Sequence, residues 1–302
     1  DEDFIKKIFV ASTHDYLLIF TDKGKCFWKK VYTIPEGNKT SKGRAVQNLI
    51  SLEPDDKVRA IIDIHNLEDE AYLNSHFLIF CTEQGTIKKT TLEEFSRPRQ
   101  NGIIAITIEE GDQLLDVKQT NGNCEIILAV RSGRANRFPE NKVRAVGRTA
   151  IGVKGIECDE KDKVVGIITI DKEDKESTIL VVSEKGYGKR SDLDEYRITN
   201  RAGKGVKTLN VTEKTGQLIA IKDITEKDEL MIINRSGVTI RMSMDEVKVQ
   251  GRATQGVRLI RLEEDDVIGS VAKIDSDMIE PHDSSSGTET PPVTPDENQS
   301  TE

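Results

Sequence analysis

The chain has 302 residues, with 44 Lys+Arg against 53 Asp+Glu, a formal net charge of −9, four Cys and four His. At 36% hydrophobic and 32% charged residues the composition is globular rather than fibrous, and no run approaches the ~18–20 apolar residues that would span a bilayer. With no initial Met and no basic-then-apolar leader, the sequence reads as a piece of a longer cytoplasmic protein with no membrane partner.

In chain order the predicted elements are short strands. Residues 1–10, Asp1-Glu2-Asp3-Phe4-Ile5-Lys6-Lys7-Ile8-Phe9-Val10, resemble the last strand of a unit that recurs downstream. Five times an apolar run then meets a glycine turn and a short basic strand. The runs begin at Leu17, Leu78, Ile126, Ile179 and Leu230, and the turn glycines are Gly24, Gly85, Gly133, Gly186 and Gly237. A second glycine follows at Gly43, Gly102, Gly152, Gly205 and Gly256, at intervals of 19, 17, 19, 19 and 19 residues. Another apolar strand begins after an acidic or glycine-containing turn, as in Asp55-Asp56-Lys57-Val58 and Asp265-Asp266-Val267.

Four strands per repeat of roughly 50 residues, with almost no helical periodicity, predict radial blades. The expectation is five full repeats plus the end of a sixth over residues 1–274. From Asp275 to Glu302 there are eight acids and no Lys or Arg. That segment is predicted to be a disordered acidic tail, either solubilising or regulatory.

Charge is polarised within the repeat. The five windows that run from two residues before the first glycine to two after the second hold 30 of the 44 bases and carry a net +18. In radial blades these windows would line up as a basic belt. Such a belt suits the nucleic-acid backbone, because Lys and Arg displace counterions from phosphate. The candidate contacts after the first glycine are Lys29, Lys30, Lys88, Lys89, Arg137, Lys189, Arg190 and Arg241. Those around the second are Lys42, Arg44, Arg97, Arg99, Arg144, Arg148, Lys154, Arg201, Lys204, Arg252 and Arg258. The few aromatics in the windows suit strand packing, which favours duplex backbone over stacked single strands.

The sequence offers no catalytic or metal-binding pattern. Cysteines 26, 81, 124 and 158 include no Cys-x-x-Cys pair and read as reduced thiols, and the four His show no ligand spacing. Gly186-Tyr187-Gly188-Lys189-Arg190-Ser191 and Gly203-Lys204-Gly205 do not fit the phosphate-loop pattern. No Ser occupies a nucleophile elbow. A non-catalytic binding module is expected.

Several segments resemble the C-terminal domain of bacterial DNA gyrase A. They are Asp3-Phe4-Ile5 through Ile34-Pro35-Glu36, Ser41-Lys42-Gly43-Arg44-Ala45-Val46-Gln47-Asn48-Leu49, Lys185 to Arg190, and Gly251-Arg252-Ala253-Thr254-Gln255-Gly256-Val257. The resemblance implies a six-bladed β-pinwheel, all-β and propeller-like, whose blades exchange strands. It implies a basic rim that bends duplex DNA for negative supercoiling by a type II topoisomerase that also contains gyrase B and the N-terminal part of gyrase A. ATP and Mg would act elsewhere in that enzyme, leaving this fragment without a cofactor. The family's heptapeptide box, Gln-Arg-Arg-Gly-Gly-Lys/Arg-Gly, has only a degenerate echo in Asn200-Arg201-Ala202-Gly203-Lys204-Gly205. Two alternatives are the equivalent domain of topoisomerase IV and a propeller used as a protein-interaction scaffold.

Overall fold

A computed structural model describes residues 8–38 and 41–275. The first blade is built on a hairpin of β1 (Tyr16–Thr21) and β2 (Lys25–Lys30), and β3 (Val58–Ile64) returns to pair with β1. After the short helix α1 (Glu70–Ser75), capped by the Asp69 carboxylate on the Tyr72 amide, a second hairpin forms from β4 (Phe77–Thr82) and β5 (Thr86–Thr91). The chain then leaves this hairpin. Its next strand, β6 (Ile103–Ile104), pairs with β2 of the first blade, and only β7 (Leu114–Thr120) comes back to β4.

The same path repeats. The third hairpin, β8 (Cys124–Val130) and β9 (Arg134–Pro139), is followed by β10 (Val153–Lys154) on β5 and β11 (Val164–Asp171) on β8. The fourth, β12 (Thr178–Ser183) and β13 (Tyr187–Asp192), is followed by β14 (Val206–Lys207) on β9 and β15 (Leu218–Ile224) on β12. The fifth, β16 (Glu229–Asn234) and β17 (Thr239–Ser243), is followed by β18 (Val257–Arg258) on β13 and β19 (Ile268–Ile274) on β16. Each of the first four blades is therefore completed by a strand from a later repeat. The last sheet has three strands among the described residues.

Glycine is required where the exchanged strand docks. Gly102, Gly152, Gly205 and Gly256 all have positive φ, and a Cβ on any of the last three would come within 2.5 Å of a backbone carbonyl of the acceptor strand. The first repeat departs from this rule. Gly43 has nothing within 4 Å of its Cβ position. Gly102, Gly152 and Gly256 lie seven residues before the acidic-turn acceptors Glu109, Asp159 and Glu263, and the same count back from Glu53 reaches Val46. Among the described residues no hairpin precedes β1 to accept an exchange strand from the first repeat. Residues 46–48 form one turn of 3-10 helix, and among the described residues no exchange strand follows them.

The cores lie between blades. One apolar cluster joins Leu18 and Phe20 of the first blade to Leu78 and Phe80 of the second, with Ala105 and Ile106 of the exchange segment between them. Equivalent clusters join each later pair. Ordinary alternation explains this, since one face of a central strand points to the preceding blade and the other to the next. The outer face of the first blade, formed by Leu17, Ile19 and Phe27, is covered by Phe9, Ala11 and residues 46–52.

Among the described residues the fold is thus an all-β propeller of five blades, which corrects the expected six. Residues 1–7, in which a sixth blade was expected to end, lie outside the described residues. Phe9 and Ala11 pack as side chains on the first blade, and residues 8–10 form no strand. The predicted tail likewise lies outside the described residues after Asp275. No described helix is long and apolar enough to cross a membrane.

Candidate nucleic-acid interface

Three surroundings divide the nineteen basic residues. Lys88, Lys89, Arg137, Lys189 and Arg190 are buried, at 9% exposure or less. They sit at the third and fourth positions after a turn glycine, in the second strand of the hairpin. Lys88 Nζ donates to the carbonyls of Ala105 and Arg148, and Lys189 Nζ to those of Gly251 and Arg252. Burial, aided by the neighbouring Arg148 charge, lowers the Lys88 pKa to about 7. Burial lowers that of Lys189 to about 8.

The fourth position makes a recurring tie to the next repeat. Arg137 donates to the carbonyls of Leu193 and Tyr196 at 2.7 and 2.8 Å, and is paired with Glu125. Arg190 Nη1 donates to the Met244 carbonyl at 2.5 Å. Trp28, at the same position, donates from Nε1 to the Phe95 carbonyl at 2.9 Å. Lys89 meets the Glu140 carboxylate at 2.7 Å, with both side chains buried. These five cations are nine-tenths or more buried and tie repeats together, so their expected role as direct phosphate contacts is set aside. Residue type alone could not distinguish the two roles, because most of the partners belong to a different repeat.

Lys29, Lys30, Arg148, Arg201 and Arg252 are half-buried. Lys30 lies over the rings of Tyr16 and Tyr32, at 5.1 and 5.6 Å from their centroids. Exposed are Lys42, Arg44, Arg97, Arg99, Arg144, Lys154, Lys204, Arg241 and Arg258. The structure brings several together, both across and within repeats. Arg97 and Arg99 share a cleft of 250 Å³ with Arg148, and Arg201 and Lys204 share one of 290 Å³ with Arg197. A larger hollow of 1180 Å³ near the connections from β11 to β12 and from β15 to β16 is lined by more acids than bases, including Asp171, Asp174, Glu176, Asp194 and Glu226. Its charge does not suit a phosphate backbone.

Two exposed positions recur in register. The residue eleven places after the turn glycine is Arg144, Arg197 and Lys248 in the third to fifth repeats. The second residue of the exchange strand is Lys154, Lys207 and Arg258 in β10, β14 and β18. Arg197, Lys248 and Lys207 were missing from the sequence-based set. Their fixed offsets from the glycines would have revealed them.

With this geometry in place, comparison with known proteins is decisive. A model described as the DNA gyrase C-terminal domain, beta-propeller, matches five segments of the chain, residues 15–64, 76–121, 125–171, 177–224 and 228–275. The chain belongs to the DNA gyrase C-terminal domain family. Each matched segment contains one hairpin and the strand that returns to pair with it.

Among curated relatives, DNA gyrase A of Staphylococcus aureus (strain MRSA252) is 41% identical over 288 residues, covering 95% of this chain and 32% of the relative. The same protein from Staphylococcus epidermidis (strain ATCC 12228 / FDA PCI 1200) is 42% identical over 277 residues, covering 92% of this chain and 30% of the relative. The chain thus spans about a third of the length of these relatives. Of solved structures, the C-terminal domain of DNA topoisomerase IV matches with a TM-score of 0.78 at 26% identity, covering 88% of this chain and 80% of that one. The DNA gyrase A C-terminal domain matches with a TM-score of 0.73 at 24% identity, covering 88% and 84%, and shows the same fold.

Proposed function

We propose that this chain binds duplex DNA along its rim, without reading sequence, and bends it around the blades. The observation that carries this reading is the repetition of exposed cations in register, Arg144, Arg197 and Lys248 at one level and Lys154, Lys207 and Arg258 at another. Cations at equal positions in successive blades track a phosphate backbone and offer no pattern for base edges. Smooth bending of 20–30 base pairs by 40–90° costs on the order of 1–6 kcal/mol. Counterion release at several blades is large enough to offset it.

Within a complete gyrase the bent segment would be handed to the cleaving and ATP-hydrolysing parts for negative supercoiling, the chain itself doing no chemistry. Its partners would then be the N-terminal part of gyrase A and the gyrase B protein, in the cytoplasm. The gyrase relatives at 41–42% identity favour this over a topoisomerase IV role. A protein-interaction scaffold would not call for cations in register.

The test is to seal nicked circular duplex with the chain bound and read the linking number. A shift that grows with bound protein supports wrapping of fixed hand. Binding without a shift, or no binding at moderate salt, would overturn it.

A further inference from the structure

Arg148, Arg201 and Arg252 occupy one position, four residues before the glycine that opens β10, β14 and β18. Each contacts the same two positions, the first through the same backbone carbonyl. Nη1 donates to the carbonyl of the second residue of the preceding exchange strand: Ile104 at 3.4 Å for Arg148, Lys154 at 3.1 Å for Arg201, and Lys207 for Arg252. Nε turns to the residue nine places after the preceding turn glycine. The partner there is the Glu94 carboxylate at 3.3 Å, the Lys142 carbonyl at 3.2 Å and the Glu195 carbonyl at 3.0 Å.

The arginines are also fixed at their roots. Buried donors from the second hairpin strand reach the loop backbone beneath them: Lys88 to the Arg148 carbonyl, Asn136 to the Asn200 carbonyl at 3.1 Å, and Lys189 to the Arg252 carbonyl. The second repeat supplies a contrast. Pro98 stands at its equivalent position, and among the described residues the first repeat has no exchange strand for an arginine to grip. Thus the arginine occurs where the strand to be held occurs.

We propose that Arg148, Arg201 and Arg252 are positioning residues that set the step between successive exchange strands, and hence the path of DNA along the rim. The backbone gripped by Arg201 and Arg252 is that of Lys154 and Lys207, whose side chains are the outward cations of the neighbouring blade. A planar guanidinium has donors in a fixed fork and spans two acceptors at once. A lysine ammonium keeps the charge but loses the fork. The proposal deepens the DNA-wrapping reading and rests on it for its DNA-dependent arm.

The experiment uses the whole chain carrying Arg201→Lys and Arg252→Lys together. The expected result is a salt slope equal to that of the parent, low-salt affinity within about twofold, and a linking-number shift per bound chain that falls at least twofold. An unchanged shift per bound chain would overturn the proposal. Arg201→Gln with Arg252→Gln supplies the opposite control. A salt slope reduced by about 1.8 with an unchanged shift per bound chain would make both arginines direct phosphate contacts and again overturn it.

Amide hydrogen exchange without DNA separates this proposal from the wrapping reading. Faster exchange confined to residues 153–155 and 206–208 of the lysine variant supports the grip even if the parent chain fails to wrap DNA. Unchanged protection there overturns it whatever the DNA result.

Discussion

Lys88 Nζ in the second hairpin donates to the carbonyl of Arg148, sixty residues later in the chain, at 2.5 Å. The contact runs from beneath the rim to its surface, so the buried lysine holds the backbone under a half-buried arginine although the two like charges repel. Its pH dependence has a definite sign. Lys88 has its folded pKa lowered to about 7 from 10.5, so above pH 7 the unfolded chain holds a proton that the folded chain has released.

Stability should therefore rise as pH rises from 7 to 9, by about 1 kcal/mol per unit from this lysine. Lys189, lowered to about 8, adds to the rise above pH 8. Lys88→Met should flatten the lower part of the curve. Urea unfolding at pH 7, 8 and 9 checks this, and a parent curve that falls over the range would contradict it.

The pair of Lys89 and Glu140 is a second measurable dependency. Glu140 also accepts from the Thr120 hydroxyl at 2.7 Å and the Cys124 amide at 3.1 Å, so its carboxylate is held in place without the lysine. Lys89→Met should cost about 3–5 kcal/mol because it leaves a buried charge without its partner. Lys89→Met with Glu140→Gln should recover part of that loss. A double-mutant cycle in urea reads the coupling, and strict additivity of the two changes would mean the pair is not coupled.

Two glycines with nearly equal φ test strand exchange directly. Gly133 has φ +84°, and a Cβ there would meet the Leu209 carbonyl at 2.7 Å. Gly237 has φ +87°, and a Cβ there would meet nothing within 4 Å. Gly237→Ala should cost only the backbone strain, about 1–2 kcal/mol. Gly133→Ala should cost at least a further 1–3 kcal/mol, on the order expected for overpacking, because it pushes the incoming strand away. Equal losses in thermal unfolding would argue against the tight seating of residues 206–209.

Exposed and buried cations should separate in a salt titration. Replacing Arg197, Lys207 or Lys248 with Gln should each lower the slope of log affinity against log salt by about 0.9. Arg144→Gln should do the same, whereas Arg137→Met should leave the slope unchanged and reduce stability, since its guanidinium is held by Glu125 and two carbonyls. Fluorescence anisotropy with a duplex of fixed length measures all five. A slope that drops for Arg137→Met would return that residue to the DNA path.

Much of the architecture was legible because glycine spacing reports backbone constraints directly. Gly102, Gly152, Gly205 and Gly256 mark docked strands, and their regular intervals carry the repeat. Gly43 shows the limit of that reasoning. It fits the interval of 19 residues, yet Val46 holds the equivalent place, and only the acidic turn after Glu53 reveals the offset. The rim was less legible. Lys88 and Lys154 look alike as residues, but one donates to carbonyls inside the fold and the other faces solvent. Which of these occurs depends on strands contributed by another repeat, a relationship that local composition does not contain.

The pairing of β6 with β2 also fixes an order of events during synthesis. When the first hairpin has left the ribosome, its sheet still lacks Ile103 and Ile104, more than seventy residues further along. At 5–20 residues per second that interval lasts about 4–15 s. Until then, the newest sheet on a growing chain carries an unfinished edge, and each new repeat closes the one made before it. A nascent chain of this kind has a moving point of vulnerability that advances with translation, and chaperones or early ligands would encounter it one blade behind the last hairpin made.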